Sequence, residues 1–167
     1  LDVLRNARAF TVHNAPYDWL VLDRHAGVSL ESLAPRTTDT RVLSALIDPR
    51  QAGEGGTGHK LKPLCARWVD EAAPDTQDGL TEVFRSYGWS KTSGWARISI
   101  DHPTFALYAG LDVILAARLA PVLRAELARL DVPDRLITYE HELARICAVM
   151  QRTGLLLDEP YTRQLAA

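Results

Sequence analysis

The spacing of apolar positions predicts a chain made mostly of helices, with a short strand near its start. Residues 8–13 mix β-branched and aromatic side chains in a short run, which is typical of a strand. Asn14 follows, and from Pro16 the apolar positions recur at helical spacing until Gly27, a residue type that commonly ends helices. The opening pattern is therefore a strand that leads directly into a helix.

Further helices are predicted wherever apolar residues recur three or four positions apart. Thr38 and Asp39 are both suitable N-caps for a helix that ends near Pro49. A loop rich in glycine follows over residues 50–58. The remaining predicted helices cover residues 59–69, 78–87, 103–130 and 136–152, and a last one begins at Asp158. Gly154 is predicted to cap the helix over residues 136–152.

Two stretches interrupt this regular pattern. Residues 88–101 are predicted to be irregular, and Pro121 is predicted to kink or break the long helix that contains it. Residues 131–134, Asp-Val-Pro-Asp, read as a boundary. We therefore expect one domain over residues 1–133 and a helical connector over residues 134–167.

Composition and charge narrow the class of protein. With 47% hydrophobic residues and a formal net charge of −2, the chain is an ordinary globular protein without an overall basic field. Any contact with nucleic acid therefore needs a local patch. No apolar run is expected to reach membrane-spanning length, so no membrane partner is expected. Cys65 and Cys147 are expected to be reduced, buried thiols of a cytoplasmic protein.

Two acidic positions are candidates for chemistry. Asp18 falls in the first turn of the helix after Asn14, where exposed amides favour an ionised carboxylate, so it could simply complement the helix dipole. Tyr108 and Asp112 lie one turn apart on one face of the long helix. This pair could hold a metal ion and orient a water, although Tyr108 could equally be a core aromatic residue.

In their order along the chain, these residues resemble a known family. Asn14-Ala15-Pro16-Tyr17-Asp18 and Tyr108-Ala109-Gly110-Leu111-Asp112 match two motifs of the 3′-5′ proofreading exonuclease domain of family A DNA polymerases, in the superfamily with four metal-binding acidic residues. Asp39-Thr40, His59-Lys60-Leu61-Lys62 and the segment 140–158 resemble landmarks between and after them. The tryptophan-containing stretch before Tyr108 is most like polymerases of actinobacterial phages.

The resemblance implies an α/β fold of the ribonuclease H-like type, followed by a helical extension. The family's first motif, Asp-x-Glu, should lie upstream of Asn14, but the lone acid there is Asp2, with no glutamate two positions on. We therefore expect the chain to be truncated before its first acidic motif, without the leading strands and without two of the four family carboxylates.

The resemblance also implies a cofactor and catalytic roles. In this family two divalent cations, Mg²⁺ or Mn²⁺, lie about 3.5–4 Å apart. Asp112 would bind the metal that activates water, Asp18 would hold the second metal, and Tyr108 would orient the attacking water. Because two carboxylates leave both metals short of ligands, we expect this chain to be inactive alone.

Substrate contacts follow from the same resemblance. Asn14 and Tyr17 would help to position the terminal nucleotide or the site itself. The basic group His59, Lys60 and Lys62 could contact phosphates, but a solvated helix start explains it equally well.

The predicted function is therefore proofreading: removal of mispaired nucleotides from a single-stranded or frayed DNA 3′ end, in a chain that also carries a polymerase domain. One alternative is a ribonuclease of the same superfamily, ribonuclease D-like, that trims RNA. Another is a non-catalytic module that binds single-stranded DNA or braces the polymerase domain. An Asp-x-Glu upstream would favour the nuclease.

Overall fold

Helices dominate the structure. The computed structural model describes residues 2–71 and 77–166, and 71% of these residues are helical. The helices are α1 (Asp2–Asn6), α2 (Ala15–Ala26), α3 (Leu30–Leu33), α4 (Thr40–Ile47), α5 (Leu61–Trp68), α6 (Gln77–Ser86), α7 (Lys91–Arg97), α8 (Pro103–Arg129), α9 (Asp134–Thr153) and α10 (Glu159–Leu165). Short 3-10 turns cover Ala34–Arg36 and Ala52–Glu54.

The described part of the chain contains one small sheet. Strands β1 (Phe10–Val12) and β2 (Thr37–Asp39) pair in parallel, with Phe10 opposite Thr37 and Val12 opposite Asp39. Helices α2 and α3 connect them, as a parallel pair requires a crossover. The sheet therefore places the residues that follow β1 beside those that follow β2.

The prediction of a ribonuclease H-like α/β fold is wrong for this structure. That fold needs a sheet broad enough to form a layer, whereas the two strands described here are three residues each. The chain is instead mostly helical. Its buried apolar side chains lie mainly on helices that pack against other helices. The predicted strand over residues 8–13 exists only as its central part.

Two hydrophobic clusters form the core. The first joins α2 and α3 to α9 and includes Trp19, Leu30 and Ala148. The second joins α4, α5 and α8. Cys65 is buried in the second cluster, but Cys147 is exposed, so the prediction of two buried thiols is wrong for Cys147.

Helix α8 contributes most of the buried residues of the second cluster. Its inward face carries leucines at helical spacing, Leu115, Leu119, Leu123 and Leu127. Pro121 lies within the helix without ending it, so the helix does not break there. Among the described residues, α8 alone is long and apolar enough to cross a membrane, contrary to the expectation from sequence. Core helices meet the same criterion, so this carries little weight.

The predicted helix ends are largely confirmed. Gly27 ends α2 with a left-handed backbone, φ 61°, and Asp39 caps α4 by accepting the N–H of Arg41. Gly154 ends α9 with φ 73°. The prediction that residues 88–101 are irregular is wrong, because α7 forms there and begins with a capping box of Ser90 and Ser93.

Gly94 lies within α7, at its contact with α6. Glycine within a helix usually weakens the pattern, but here it lets α7 approach α6 closely. A Cβ at Gly94 would lie 2.3 Å from Cγ of Phe84. The glycine is therefore a packing requirement and not a helix breaker.

Candidate functional site

Asp39 is the buried centre of the site. Its carboxylate accepts the backbone N–H groups of Asn14 (2.9 Å), Ala15 (2.8 Å) and Arg41 (2.9 Å), and the residue is 1% exposed. Because buried polar atoms must be paired, this one side chain fixes the start of α2 against the start of α4. The sequence identified Asp39 as a helix cap and as part of a family landmark, but not as the centre of the site.

Asn14 joins β1 to α2 with an unusual backbone. Its φ of 71° and ψ of 57° are left-handed, a conformation that asparagine tolerates better than most residues. Its side-chain carbonyl accepts a hydrogen bond from the Arg41 guanidinium at 2.8 Å. Asn14 and the exposed Tyr17 border a cavity of about 460 Å³. Both predicted substrate residues are therefore accessible at the start of α2.

Asp18 lies one turn into α2 and is partly buried. Burial raises the pKa of its carboxyl group, and the nearby carboxylate of Asp39 raises this pKa further. A backbone hydrogen bond at the helix start acts in the opposite direction but is outweighed. Asp18 is therefore an acid whose charge the folded chain disfavours.

His13 lies between the acidic side chains. Its Nε2 is 3.0 Å from the carbonyl of His59, which can only accept, so Nε2 carries the proton. Its Nδ1 lies 2.9 Å from Oγ1 of Thr40, a hydroxyl that donates to the carbonyl of Val12 at 3.1 Å. Burial lowers the pKa of His13, while Asp39 and, more weakly, Asp112 act to raise it. The imidazole of His13 thus interacts electrostatically with the carboxylates of Asp39 and Asp112.

Asp112, Tyr108 and Lys62 are brought together by the packing of α5 against α8. The Lys62 ammonium forms an ion pair with the Asp112 carboxylate, and both side chains are largely shielded, with 17% and 28% exposure. The same ammonium lies 5.6 Å from the centre of the Tyr108 ring. The centre of the Tyr108 ring also lies 5.4 Å from the centre of the Trp95 ring.

The predicted phosphate-binding residues have different surroundings. The imidazole of His59 is 3.1 Å from the Ser44 hydroxyl and 3.3 Å from the carbonyl of Pro49, so it anchors the glycine-rich loop to α4. Lys60 is exposed immediately before α5. Lys62 is occupied by Asp112, as described above. Of the three, Lys60 is positioned most freely for a phosphate.

The candidate residues thus form two groups. Asn14 and Asp18 surround Asp39, while Tyr108 and Asp112 surround Lys62, and no hydrogen bond or ion pair joins Asp18 to Asp112 within residues 2–71 and 77–166. Both groups influence His13 electrostatically, since Asp39 and, more weakly, Asp112 act to raise its pKa.

The donor chemistry fits a divalent cation in kind but not in number. Carboxylates are hard oxygen ligands of the type that Mg²⁺ and Mn²⁺ prefer. A cation would relieve the electrostatic repulsion by which Asp39 raises the pKa of Asp18. However, no group of three or more histidine, cysteine or acidic side chains converges in the described part of the chain. Metal binding by Asp18 and Asp112 therefore stays a prediction.

Sequence reasoning missed four residues that organise the site: His13, Asp39, Arg41 and His141. Asp39 carried a signal, since an acid before an apolar helical run is a helix cap. His141 carried none, because its partner, the backbone N–H of Asp39, is 102 residues away in sequence. Contacts of that kind appear only in the folded structure.

Comparison with known proteins connects the chain to DNA polymerases. It is 38% identical over 167 residues to the DNA polymerase of Mycobacterium phage D29, a match that covers 99% of this chain and 27% of that protein. It is 36% identical over 160 residues to the DNA polymerase of Mycobacterium phage L5, covering 95% of this chain and 27% of that protein. No protein-family model and no solved structure matches the chain.

These relatives show that the chain is related to a region of mycobacteriophage DNA polymerases. The chain spans about a quarter of the length of the relatives it matches. The predicted relationship to DNA polymerases, and to those of phages, is thereby confirmed. The exonuclease domain and the division at residue 133 stay predictions.

Proposed function

We propose that this chain is the proofreading 3′-5′ exonuclease region of a DNA polymerase, acting on a single-stranded or frayed DNA 3′ end. The similarity to two phage DNA polymerases supports the association with a polymerase. The ordered pair of motifs, residues 14–18 and 108–112, supports the nuclease activity. In this proposal Asp18 and Asp112 are metal ligands and Tyr108 orients the attacking water.

The observation that carries the proposal is the environment of Asp18. A carboxylate that merely complemented the helix dipole would have a lowered pKa. The pKa of Asp18 is instead raised, first by burial and then by Asp39. An ionised acid that is partly buried and repelled by another carboxylate costs stability, which protonation or a bound cation relieves. Groups perturbed in this way concentrate at functional sites.

The environment of Asp112 differs from that of Asp18, but in this proposal it also supports the binding of a divalent cation. Its carboxylate faces a cation already, the ammonium of Lys62. We propose that a divalent cation displaces this ammonium from Asp112 when the site is loaded, and that Lys62 then binds a phosphate of the DNA. One ion pair would thereby account for both predicted roles, metal binding by Asp112 and substrate binding by Lys62.

A divalent cation would lower the pKa of a bound water and stabilise charge on the scissile phosphate. The residues of this chain would position the other groups around the cation. Asp39 fixes the amides at the start of α2, and in this proposal Asn14 and Tyr17 would contact the terminal nucleotide. Lys60, exposed beside the site, would add a phosphate contact. With only two candidate carboxylate ligands, the chain is expected to be inactive alone.

The two alternatives make different predictions for the same residues. A non-catalytic module that binds single-stranded DNA or braces the polymerase does not require Asp18 in an unfavourable environment. A ribonuclease D-like enzyme would share Tyr108 and Asp112, but the match to DNA polymerases over 99% of the chain favours DNA as substrate. The raised pKa of Asp18 therefore weighs against the first alternative, and the relatives weigh against the second.

The direct test uses the full-length polymerase that contains this chain and a DNA primer with a mispaired 3′ end. Asp112→Ala should abolish Mg²⁺- or Mn²⁺-dependent 3′ degradation while nucleotide incorporation stays largely intact. An RNA oligonucleotide with the same sequence should be degraded more slowly than DNA. Exonuclease activity that persists in Asp112→Ala would show that Asp112 is not a metal ligand.

A further inference from the structure

Helix α9 has apolar side chains on two opposite faces. The inner face, with Ile137, Ala144 and Ala148, packs toward α2, α4 and the core. The outer face carries larger side chains that remain exposed: Leu136 (38%), Tyr139 (61%), Leu143 (42%), Ile146 (44%) and Met150 (66%). In an ordinary surface helix the solvent face is polar, so this outer face is unpartnered.

The outer face forms a regular stripe. Its five residues are spaced three, four, three and four positions apart, which places them in one line along about 21 Å of helix. Spacing of this kind is the seam by which one helix packs against another. We call these five residues the outer stripe.

Apolar exposure continues beyond α9. Leu155 and Leu156 are fully exposed, Leu157 is 65% exposed, and α10 contains no buried residue. The outer stripe and residues 155–157 therefore form neighbouring apolar surface of the kind that marks a protein interface.

We propose that the outer stripe and residues 155–157 bind an apolar helical face of the polymerase portion of the same protein. This inference rests on the proposed function only in assigning the chain to a DNA polymerase. In both relatives, the region that matches this chain is 27% of the protein, so most of each polymerase lies outside it. An interdomain contact is the expected occupant of such a surface.

Charge argues against nucleic acid as the occupant. Within the span of the stripe, residues 136–150, α9 carries one arginine, Arg145, and no lysine, against two glutamates, Glu140 and Glu142. Arg145 pairs directly with Glu142. The stripe thus offers no excess of basic groups to a phosphate backbone. A second copy of this chain remains as the competing occupant, since a seam of this spacing also joins identical helices.

The test uses the full-length polymerase and the exposed thiol of Cys147, which lies on α9 next to Ile146. Alkylation of Cys147 is followed at the level of the individual peptide. Ile146→Glu places a charge in the stripe, and Thr138→Glu places the same charge at an exposed position on another side of α9. Sedimentation reports the oligomeric state, and nucleotide incorporation reports that the variants are folded.

We expect slow alkylation of Cys147 in the parent and in Thr138→Glu, and alkylation at least about tenfold faster in Ile146→Glu, because an unpaired charge opposes burial of the stripe. Equal rates in all three proteins would overturn the proposal. A parent dimer that Ile146→Glu converts to monomer would also overturn it and assign the stripe to a second copy. Failure of the exonuclease assignment, measured with Asp112→Ala, leaves these rates unchanged.

Discussion

The backbone N–H of Asp39 donates a hydrogen bond to Nε2 of His141, at 2.9 Å and across 102 residues of chain. The other ring nitrogen of His141, Nδ1, is 2.8 Å from the carbonyl of Ile137, which can only accept, so Nδ1 carries the proton and Nε2 is free to accept. One histidine on α9 thereby holds the end of β2, and with it the carboxylate that organises Asn14 and Ala15.

This relationship predicts that His141 stabilises the site end of the fold. His141→Ala should leave the Asp39 N–H without its partner and lower the free energy of unfolding by about 1–3 kcal/mol. His141→Gln, which keeps an acceptor, should lose less. Urea unfolding of the chain measures both. The control His25→Ala, at an exposed position near the end of α2, should change stability by less than about 0.5 kcal/mol; an equal loss in the control would contradict the assigned role.

The raised pKa of Asp18 predicts a dependence of stability on pH. Because the folded state has the higher pKa, folding favours the protonated acid. This contribution to stability is present below the ordinary aspartate pKa of 3.8 and is lost as pH rises through the folded pKa. At pH 7 ionised Asp18 is therefore unfavourable. In the absence of divalent cations, Asp18→Asn should raise Tm at pH 7, by no more than about 2–4 °C.

Divalent cations should reverse that ranking. Mg²⁺ or Mn²⁺ should raise the Tm of the parent full-length polymerase more than that of its Asp18→Asn variant, because the cation relieves the charge on Asp18. Asp78→Asn, which removes an exposed acid in the first turn of α6, is the matched control and should not raise Tm. A lower Tm for Asp18→Asn without cations would show that Asp18 only complements the helix dipole.

The ion pair between Lys62 and Asp112 predicts competition between Lys62 and the metal. In the full-length polymerase, Lys62→Met should lower the Mg²⁺ concentration needed for half-maximal 3′ degradation by about three- to tenfold, since the ammonium no longer competes for Asp112. The same variant should raise KM for DNA, because a phosphate contact is lost. Lys60→Met, the exposed neighbour, should raise KM without changing the Mg²⁺ requirement. The same Mg²⁺ requirement in both variants would contradict the competition.

The sequence was a good guide wherever a helix was strongly periodic and clearly bounded. Gly27, Asp39 and Gly154 mark helix ends through local backbone chemistry, which a short window of sequence contains. Tyr108 and Asp112 lie on one face of α8 as predicted, because one helical turn separates them, and both contact Lys62. The ion pair between Lys62 and Asp112 was not predicted.

The predictions failed where the outcome depends on distant partners. Apolar periodicity in α9 did not reveal that the larger side chains face outward, because periodicity identifies a stripe without identifying what covers it. The ribonuclease H-like sheet was inferred from motifs that the helical structure also accommodates. The contact between His141 and Asp39 has no local signature at all.

The central proposal is that Asp18 and Asp112 serve one nuclease site, although no direct contact joins them in the described residues. The most direct measurement is the rate of 3′-terminal nucleotide release from mispaired DNA by the full-length polymerase, its Asp18→Ala and Asp112→Ala variants, and the double variant. Each single change should reduce release at least about 100-fold, and the double change should reduce it little further, because residues that act as a unit are not additive. Release within about tenfold of the parent in either single variant, or losses that multiply in the double variant, would contradict a shared site.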